Sequence, residues 1–177
     1  LELFQETLRL CRRYGDHATE AATLNSIGAV YAALGDQQQA LMYYEEVLSL
    51  IRLLGAKASV ASTLNNIGTV YSNLGDQQQA LTYYEQALPI SRQEGDKSVE
   101  ASTLRNIGAV YAARHDLQQA LTYYEAALDL FIVLNDLMSQ ARTYQQLGAI
   151  TQERRQWTQA EQYYQQALAI ETKSKDR

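Results

Sequence analysis

The sequence predicts an all-α protein built as an array of stacked helical hairpins, and two observations carry that expectation. Gly28, Gly68, Gly108 and Gly148 recur every 40 residues and take their surroundings with them, TLNSIGAVYAALGDQQQALMYYEE about the first and TLNNIGTVYSNLGDQQQALTYYEQ about the second. Residues 21–60 and 61–100 agree at 23 of 40 positions without a gap. A strict period of this size marks a repeat array, in which each repeat is one supersecondary unit that cannot bury its apolar face alone. Within the period, apolar residues fall at helical spacing in two runs.

The first run places Leu24, Ile27, Gly28, Tyr31 and Leu34 on one helix face. The second does the same with Ala40, Leu41, Tyr44, Val47, Leu48 and Ile51. Between them, Gly35 suits the left-handed residue that ends a helix. Asp36 suits the N-cap of the next, with Gln39 three residues on as in a capping box. Gly15, Gly55, Gly95 and Asn135 mark the ends of the second-type helices. Asp16, Asp96 and Asp136 cap the helices that follow, and Ala56 breaks the pattern. Each repeat is therefore two helices of about 18 residues, about 27 Å long. Four complete pairs are expected near 17–54, 57–94, 97–134 and 137–173. Residues 1–14 align with 41–54, Phe4 falling on Tyr44, and read as a second helix without its first. The whole of 1–177 is expected to be a single array, a half repeat over 1–16 followed by repeats 17–56, 57–96, 97–136 and 137–177.

Two features inside helices call for a cause. Glycine in a helix interior costs about 1 kcal/mol relative to alanine, so four at equivalent sites imply a close neighbour. The expected neighbours are Ala40, Ala80, Ala120 and Ala160 on the second helix of each repeat. Pro89, whose equivalents are Ser49, Asp129 and Ala169, is expected to kink its helix outward.

The pattern Leu24-x2-Ile27-Gly28-x2-Tyr31…Ala40-x3-Tyr44 resembles the tetratricopeptide repeat, with Leu in place of the usual Trp. The next two repeats match through Leu64, Ile67, Gly68, Tyr71, Ala80 and Tyr84, and through Leu104, Ile107, Gly108, Tyr111, Ala120 and Tyr124. The fourth matches through Tyr144, Leu147, Gly148, Ala160 and Tyr164 but has Thr151 where Tyr is expected. A 40-residue period exceeds the family's usual length and is similar to the variant in kinesin light chains and in large bacterial signalling proteins. The resemblance implies a right-handed solenoid that serves as an intracellular protein- or peptide-binding scaffold.

The first helices carry small or amide side chains expected outside the core: Asn25, Ser26, Ala29, Ala32 and Ala33; then Asn65, Asn66, Thr69, Ser72 and Asn73; then Asn106, Ala109, Ala112 and Ala113. The second helices carry Gln38, Glu45, Glu46, Arg52, Gln78, Glu85, Gln86 and Arg92, which read as a solvated face. Small side chains let an extended peptide come near, and an amide offers a donor and an acceptor to its backbone. In the light-chain-like relatives the matching TLNN asparagine contacts peptide, which points to Asn66 and Asn106. Ser26 and Gln146 hold that place in the outer repeats, and Asn25 and Asn65 precede it. A second reading stands beside this one, in which these asparagines bond between neighbouring helices and set their spacing. Arg105 and Arg142 are the bases expected on the inner wall, where they could meet an acidic group or, more blandly, Glu153.

Other residues read as structural. The tyrosine pairs at 43/44, 83/84, 123/124 and 163/164 are expected in the core, as is Trp157. His115 stands at a turn where glycine is usual, and a positive φ is expected there. His17 and His115 have no Cys or His at ligand spacing, so no metal is expected, and no cofactor. Cys11 is alone, which excludes a disulfide framework. With net charge −5 and no basic stripe, a nucleic-acid partner is not expected. No apolar run approaches the length of a membrane span, and no nucleophile, base and orienter converge as an enzyme needs. A cytoplasmic setting follows. Beginning at Leu1 rather than Met, the chain reads as cut from a longer protein. Some of Leu1, Phe4, Leu8 and Cys11 should be uncovered, favouring weak end-to-end self-association. A structural spacer or self-assembly module is thus the alternative to a peptide-binding scaffold.

Overall fold

A computed structural model describes residues 2–175, which form nine α-helices and no strand among the described residues. The chain divides into two compact units, Leu1–Glu94 and Gly95–Arg177. Unit 1 holds α1 (Glu2–Tyr14), α2 (His17–Ala33), α3 (Gln37–Leu53), α4 (Lys57–Asn73) and α5 (Gln77–Glu94). In it α2 pairs with α3, α4 with α5, and α1 and α3 each pack on the helix that follows. Unit 2 holds α6 (Lys97–Ala113), α7 (Leu117–Val133), α8 (Leu137–Glu153) and α9 (Trp157–Lys175). There α6 pairs with α7 and α8 with α9, and α7 packs on α8.

The turns are built as the punctuation residues require. Gly35 takes φ 82°, and the N–H of Asp36 returns to the carbonyl of Tyr31 at 3.0 Å. His115 and Asn135 adopt φ 59° and 53° at equivalent turns, and Arg155 adopts 60° without any sequence sign of it. Asp16, Asp36, Asp116 and Asp136 each accept the backbone N–H three residues on, satisfying a donor the helix start leaves open. Ala56 gives α4 no side-chain cap.

In unit 1 the core gathers Leu24, Ile27, Tyr44, Val47, Ile51, Leu64, Ile67 and Val70. In unit 2 it gathers Ala120, Leu121, Tyr124, Leu128, Leu147 and Ile150. Leu34, expected on the buried face of α2, is exposed at the helix end. The glycines make room for tyrosines rather than for alanines. A Cβ at Gly28 would stand 2.9 Å from the Tyr44 ring. The distances are 2.6 Å from Gly68 to Tyr84, 2.9 Å from Gly108 to Tyr124 and 2.7 Å from Gly148 to Tyr164. The alanine correspondence fails because the atoms nearest each such Cβ belong to the tyrosine ring, not to the small residue a turn earlier. α5 runs without interruption through Pro89, which faces solvent.

The tyrosine pairs divide their work. Tyr44, Tyr84 and Tyr124 are buried. Tyr43, Tyr83 and Tyr123 are half-buried or engaged at the surface, stacked on Tyr31, Tyr71 and Tyr111 with ring centroids 5.3–5.4 Å apart. Repeat four lacks the tyrosine at Thr151, and Tyr163 leans instead on Tyr144 at 6.1 Å with the rings tilted by 36°. Thr151 is fully buried and satisfies its hydroxyl on the carbonyls of Leu147 and Gly148, at 2.8 and 3.0 Å. Tyr164 is 39% exposed and Trp157 is 62% exposed, so neither is the core residue expected. Tyr164 still packs on Gly148 of α8 and donates to Oε1 of Gln152 at 3.0 Å, and both it and Trp157 border an open groove.

At the other end, Leu8 and Cys11 are buried and Phe4 is half-buried against the core, so the expected uncovered stripe is largely closed by α2. Leu3, Leu10 and Tyr14 are the exposed apolar residues of α1, and Leu1 lies outside the described residues. No described helix is long and apolar enough to cross a membrane.

Candidate functional site

The candidate residues of unit 1 sit on α2 and α4. Asn66 donates through Nδ2 to Oδ1 of Asn25 at 3.2 Å, joining the two first-type helices directly. Beside this bond lies a niche of about 170 Å³ walled by Ala18, Ala22, Asn25, Ser59 and Ser62, with Val47 and Ile51 of α3 at its floor. The small wall residues come from α2 and α4, which both pack on α3. Thr69 donates from Oγ1 to the carbonyl of Asn65 at 3.0 Å and accepts from the Tyr84 hydroxyl at 3.3 Å. Asn73 is the exposed last residue of α4 and stands apart from the pair.

A row of buried threonines behind this face escaped the sequence reading. Thr23, Thr63, Thr103 and Thr143 recur at one register of the first helices and are at most 6% exposed. The hydroxyls of Thr23, Thr63 and Thr143 return to the carbonyl four residues earlier, at 2.7–2.8 Å. A hydroxyl satisfied within its own helix is compatible with burial. The invariant T of each TLNN-like phrase was the visible signal.

In unit 2 the candidates sit on α6 and α8. The Arg105 guanidinium lies over the Phe131 ring, 5.4 Å from its centroid. Burial pushes its pKa down, the charge of Arg142 pushes it further, and Asp136 opposes them. Arg142 is exposed at the edge of a groove of about 490 Å³ lined by Leu137, Met138, Ala141, Gln145 and Ile170. Asn106 is half-buried, and Gln146 keeps a buried Oε1 without a hydrogen bond. Glu153, the bland partner expected for the arginines, instead meets Nδ1 of His115 at 3.2 Å. It stands at the far end of α8, more than two turns beyond Arg142. The polar residues expected on the second helices, Gln38, Glu45, Glu46, Arg52, Gln78, Glu85, Gln86 and Arg92, are all exposed.

Paired helices at a fixed period, a glycine under each tyrosine ring and small polar first-helix faces are the geometry of one repeat type. The tetratricopeptide-repeat family model matches residues 1–53, 50–93 and 99–173. The chain belongs to the tetratricopeptide-repeat family. Proteins of this family are generally interaction scaffolds rather than enzymes. No curated protein matches the sequence. Among solved structures, BtubC (BKLC) from P. vanneervenii is similar with a TM-score of 0.84 and 22% identity, over 99% of this chain and 73% of that one. Aspartyl phosphate phosphatase F from Bacillus subtilis is similar with a TM-score of 0.90 and 16% identity, over 99% of this chain and 46% of that one. A putative kinesin light chain from Podosopora anserina gives a TM-score of 0.72 and 18% identity, over 99% and 87%. At these identities the likeness is one of fold, and these tetratricopeptide repeats share a helical-hairpin architecture with all three.

Proposed function

We propose that the chain is a non-enzymatic interaction module that takes an extended segment of a partner protein along its first-helix faces. The observation that carries this reading is the unit 1 niche with the Asn25–Asn66 pair at its side. Alanine and serine walls leave room for a main chain. The amide pair keeps hydrogen-bonding capacity after its mutual bond, since each amide has two donors and an acceptor with two lone pairs. Binding through the partner's backbone tolerates varied side chains, which suits a scaffold. Bonding between helices and bonding to a peptide are therefore compatible roles for Asn66. Peptide-array binding by the whole chain and by its Asn66→Ala, Asn106→Ala double variant tests the reading. More than about tenfold weaker binding is expected, the loss of a few polar contacts, with little loss of helicity. Normal binding by the double variant would remove the asparagines from the site.

A self-assembly role is the second reading. Trp157, Tyr164 and Leu168 of α9 are 62%, 39% and 61% exposed around one groove, more apolar surface than a solvated helix face needs.

A further inference from the structure

Two stripes of matching spacing lie open on this chain, one on α1 and one on α9. On α1, Leu3, Thr7, Leu10 and Tyr14 follow one another at four, three and four residues, the spacing that keeps side chains on one helix face. Leu3 and Tyr14 are 80% and 75% exposed, and Leu10 is exposed as well. Thr7 returns its hydroxyl to the carbonyl of Leu3 at 2.9 Å, so it adds no open donor to the stripe. Phe4 and Leu8 are turned the other way, onto the core of unit 1. On α9, Trp157, Glu161, Tyr164 and Leu168 repeat the same spacing and line a groove of about 390 Å³. Each stripe spans about 17 Å of helix.

The groove differs in chemistry from the equivalent seats inside the two units. There a second-type helix is covered by the first-type helix that follows, α3 by α4 and α7 by α8. Tyr44 and Leu48, at the registers of Tyr164 and Leu168, are buried by that packing. The register of Glu161 holds Leu41 in α3 and Leu121 in α7, both packed in the core. A carboxylate in that place fits an occupant that brings a cation. Glu161 is exposed and accepts from the side chain of Gln165 at 3.3 Å, a neutral donor that does not offset its charge.

The α1 stripe brings that cation. Glu6 and Arg13 are exposed and flank it on the same side. With α1 antiparallel to α9, Leu3 falls on Leu168 and Tyr14 on Trp157. Arg13 then comes within a turn of Glu161, and Glu6 lies against the amide of Gln165. The parallel arrangement sets Glu6 beside Glu161 and leaves Arg13 about 9 Å away along the axis. Side-chain charge and helix dipoles both favour the antiparallel one.

We propose that the α9 groove is the docking site for α1 of a second copy of this chain, a head-to-tail contact in which the Leu3–Tyr14 stripe lies antiparallel in the groove. The proposal rests on the self-assembly reading and adds the surface that the groove receives. The contact joins two different surfaces, so a dimer keeps one of each open, and association continues into a string or closes as a ring. Pairing of α9 with α9 would instead bring two Glu161 carboxylates within a turn of each other, which is repulsive.

Sedimentation of the full chain, from about 10 μM to about 1 mM as suits a weak contact, tests it with two variants that each remove one surface. Leu3→Glu with Tyr14→Glu removes the α1 stripe, and Trp157→Glu removes the groove. All three residues are exposed, so both variants should keep the parent melting temperature. The parent should gain mass beyond a dimer as its concentration rises. Each variant alone should sediment as a monomer. Their equimolar mixture should form a 1:1 complex and nothing larger, because one chain supplies the intact groove and the other the intact stripe. Arg13→Glu should weaken association about threefold, as an exposed ion pair does, and Glu161→Arg in the same chain should restore it. A parent that is monomeric throughout overturns both the docking and the self-assembly reading. Association that survives Leu3→Glu with Tyr14→Glu but is lost in Trp157→Glu overturns the docking of α1 and leaves self-assembly through α9 standing. Variants that remain monomeric when mixed, although the parent associates, overturn the head-to-tail contact as well.

Discussion

A glycine and a tyrosine sixteen positions apart form the contact on which each repeat closes. Gly68 gives up helix propensity so that the Tyr84 ring, 1% exposed, can lie where a Cβ would stand 2.6 Å from Cε1. Gly68→Ala should therefore destabilise unit 1 by about 1–3 kcal/mol, as overpacking does, although alanine is favoured in helices by about 1 kcal/mol. Chemical denaturation would show it, and a neutral or stabilised variant would refute the close packing. The same rings respond to alkali. Burial pushes the Tyr84 and Tyr124 hydroxyls from 10 up to about 12, partly offset for Tyr84 by its bond to Thr69 and for Tyr124 by Arg105. Because the folded values lie above the unfolded one, their contribution is complete below pH 10. It falls as the pH rises from 10 to about 12, by on the order of 1 kcal/mol per pH unit for each tyrosine. Tyr84→Phe with Tyr124→Phe should flatten the alkaline slope of the denaturation free energy; an unchanged slope would assign it to other groups.

At the scale of the helix, α1 is held to its neighbours by charge as well as by Leu8 and Cys11. Arg12 bonds through Nε to the carboxylate of Glu20 at 2.8 Å and reaches Glu46 on α3 with a terminal nitrogen. Glu20 is 8% exposed and also meets His17 at 3.1 Å. The Arg12 hydrogen bond holds the Glu20 carboxyl below its ordinary value, against the opposing effect of burial. With a depressed folded pKa, the clasp contributes in full above pH of about 4.5 and is lost as the pH falls through the folded value. Hydrogen exchange should show α1 protection declining in that acid window before that of α4. Arg12→Gln should cost about 1–3 kcal/mol by leaving Glu20 buried without its main partner. Equal acid sensitivity in α1 and α4 would deny the clasp this role. The clasp was not legible in the sequence, because Arg12 and Glu20 stand in different helices and their meeting depends on how those helices turn. The tyrosine stacks were half legible: the YY phrase marked packing, but which ring is buried and which stacks is set by helix rotation.

For the molecule as a whole, α1 exposes Leu3, Leu10 and Tyr14, and a further apolar surface lies open on α9. Trp157, Tyr164 and Leu168 are exposed there, whereas Leu8 and Cys11 are buried by α2. If this face mediates assembly, Trp157→Glu should abolish concentration-dependent association in sedimentation experiments while Phe4→Glu leaves it in place. A chain that sediments as a monomer at every concentration, with or without Trp157→Glu, would remove the self-assembly reading and leave the peptide-binding one. The two compact units also differ in character: the first-helix face of unit 1 is amide and neutral, and that of unit 2 carries two arginines.

Periodicity, capping residues and turn residues act over a few neighbouring positions. The sequence alone therefore determined the helices, their pairing, the left-handed turns at His115 and Asn135, and the repeat family. The residues of the candidate faces were legible for the same reason, since register along a helix decides which side a residue occupies. Contacts across helices depend on rotation, separation and the size of whatever arrives from the other side. Tertiary structure alone therefore decided that the glycines serve tyrosines and not alanines. It decided that Asn66 meets Asn25, and that Arg105 rests on Phe131 while Glu153 turns to His115. It likewise left Trp157 in solvent at the edge of an open groove, because burial depends on what is packed against a side chain as much as on what the side chain is.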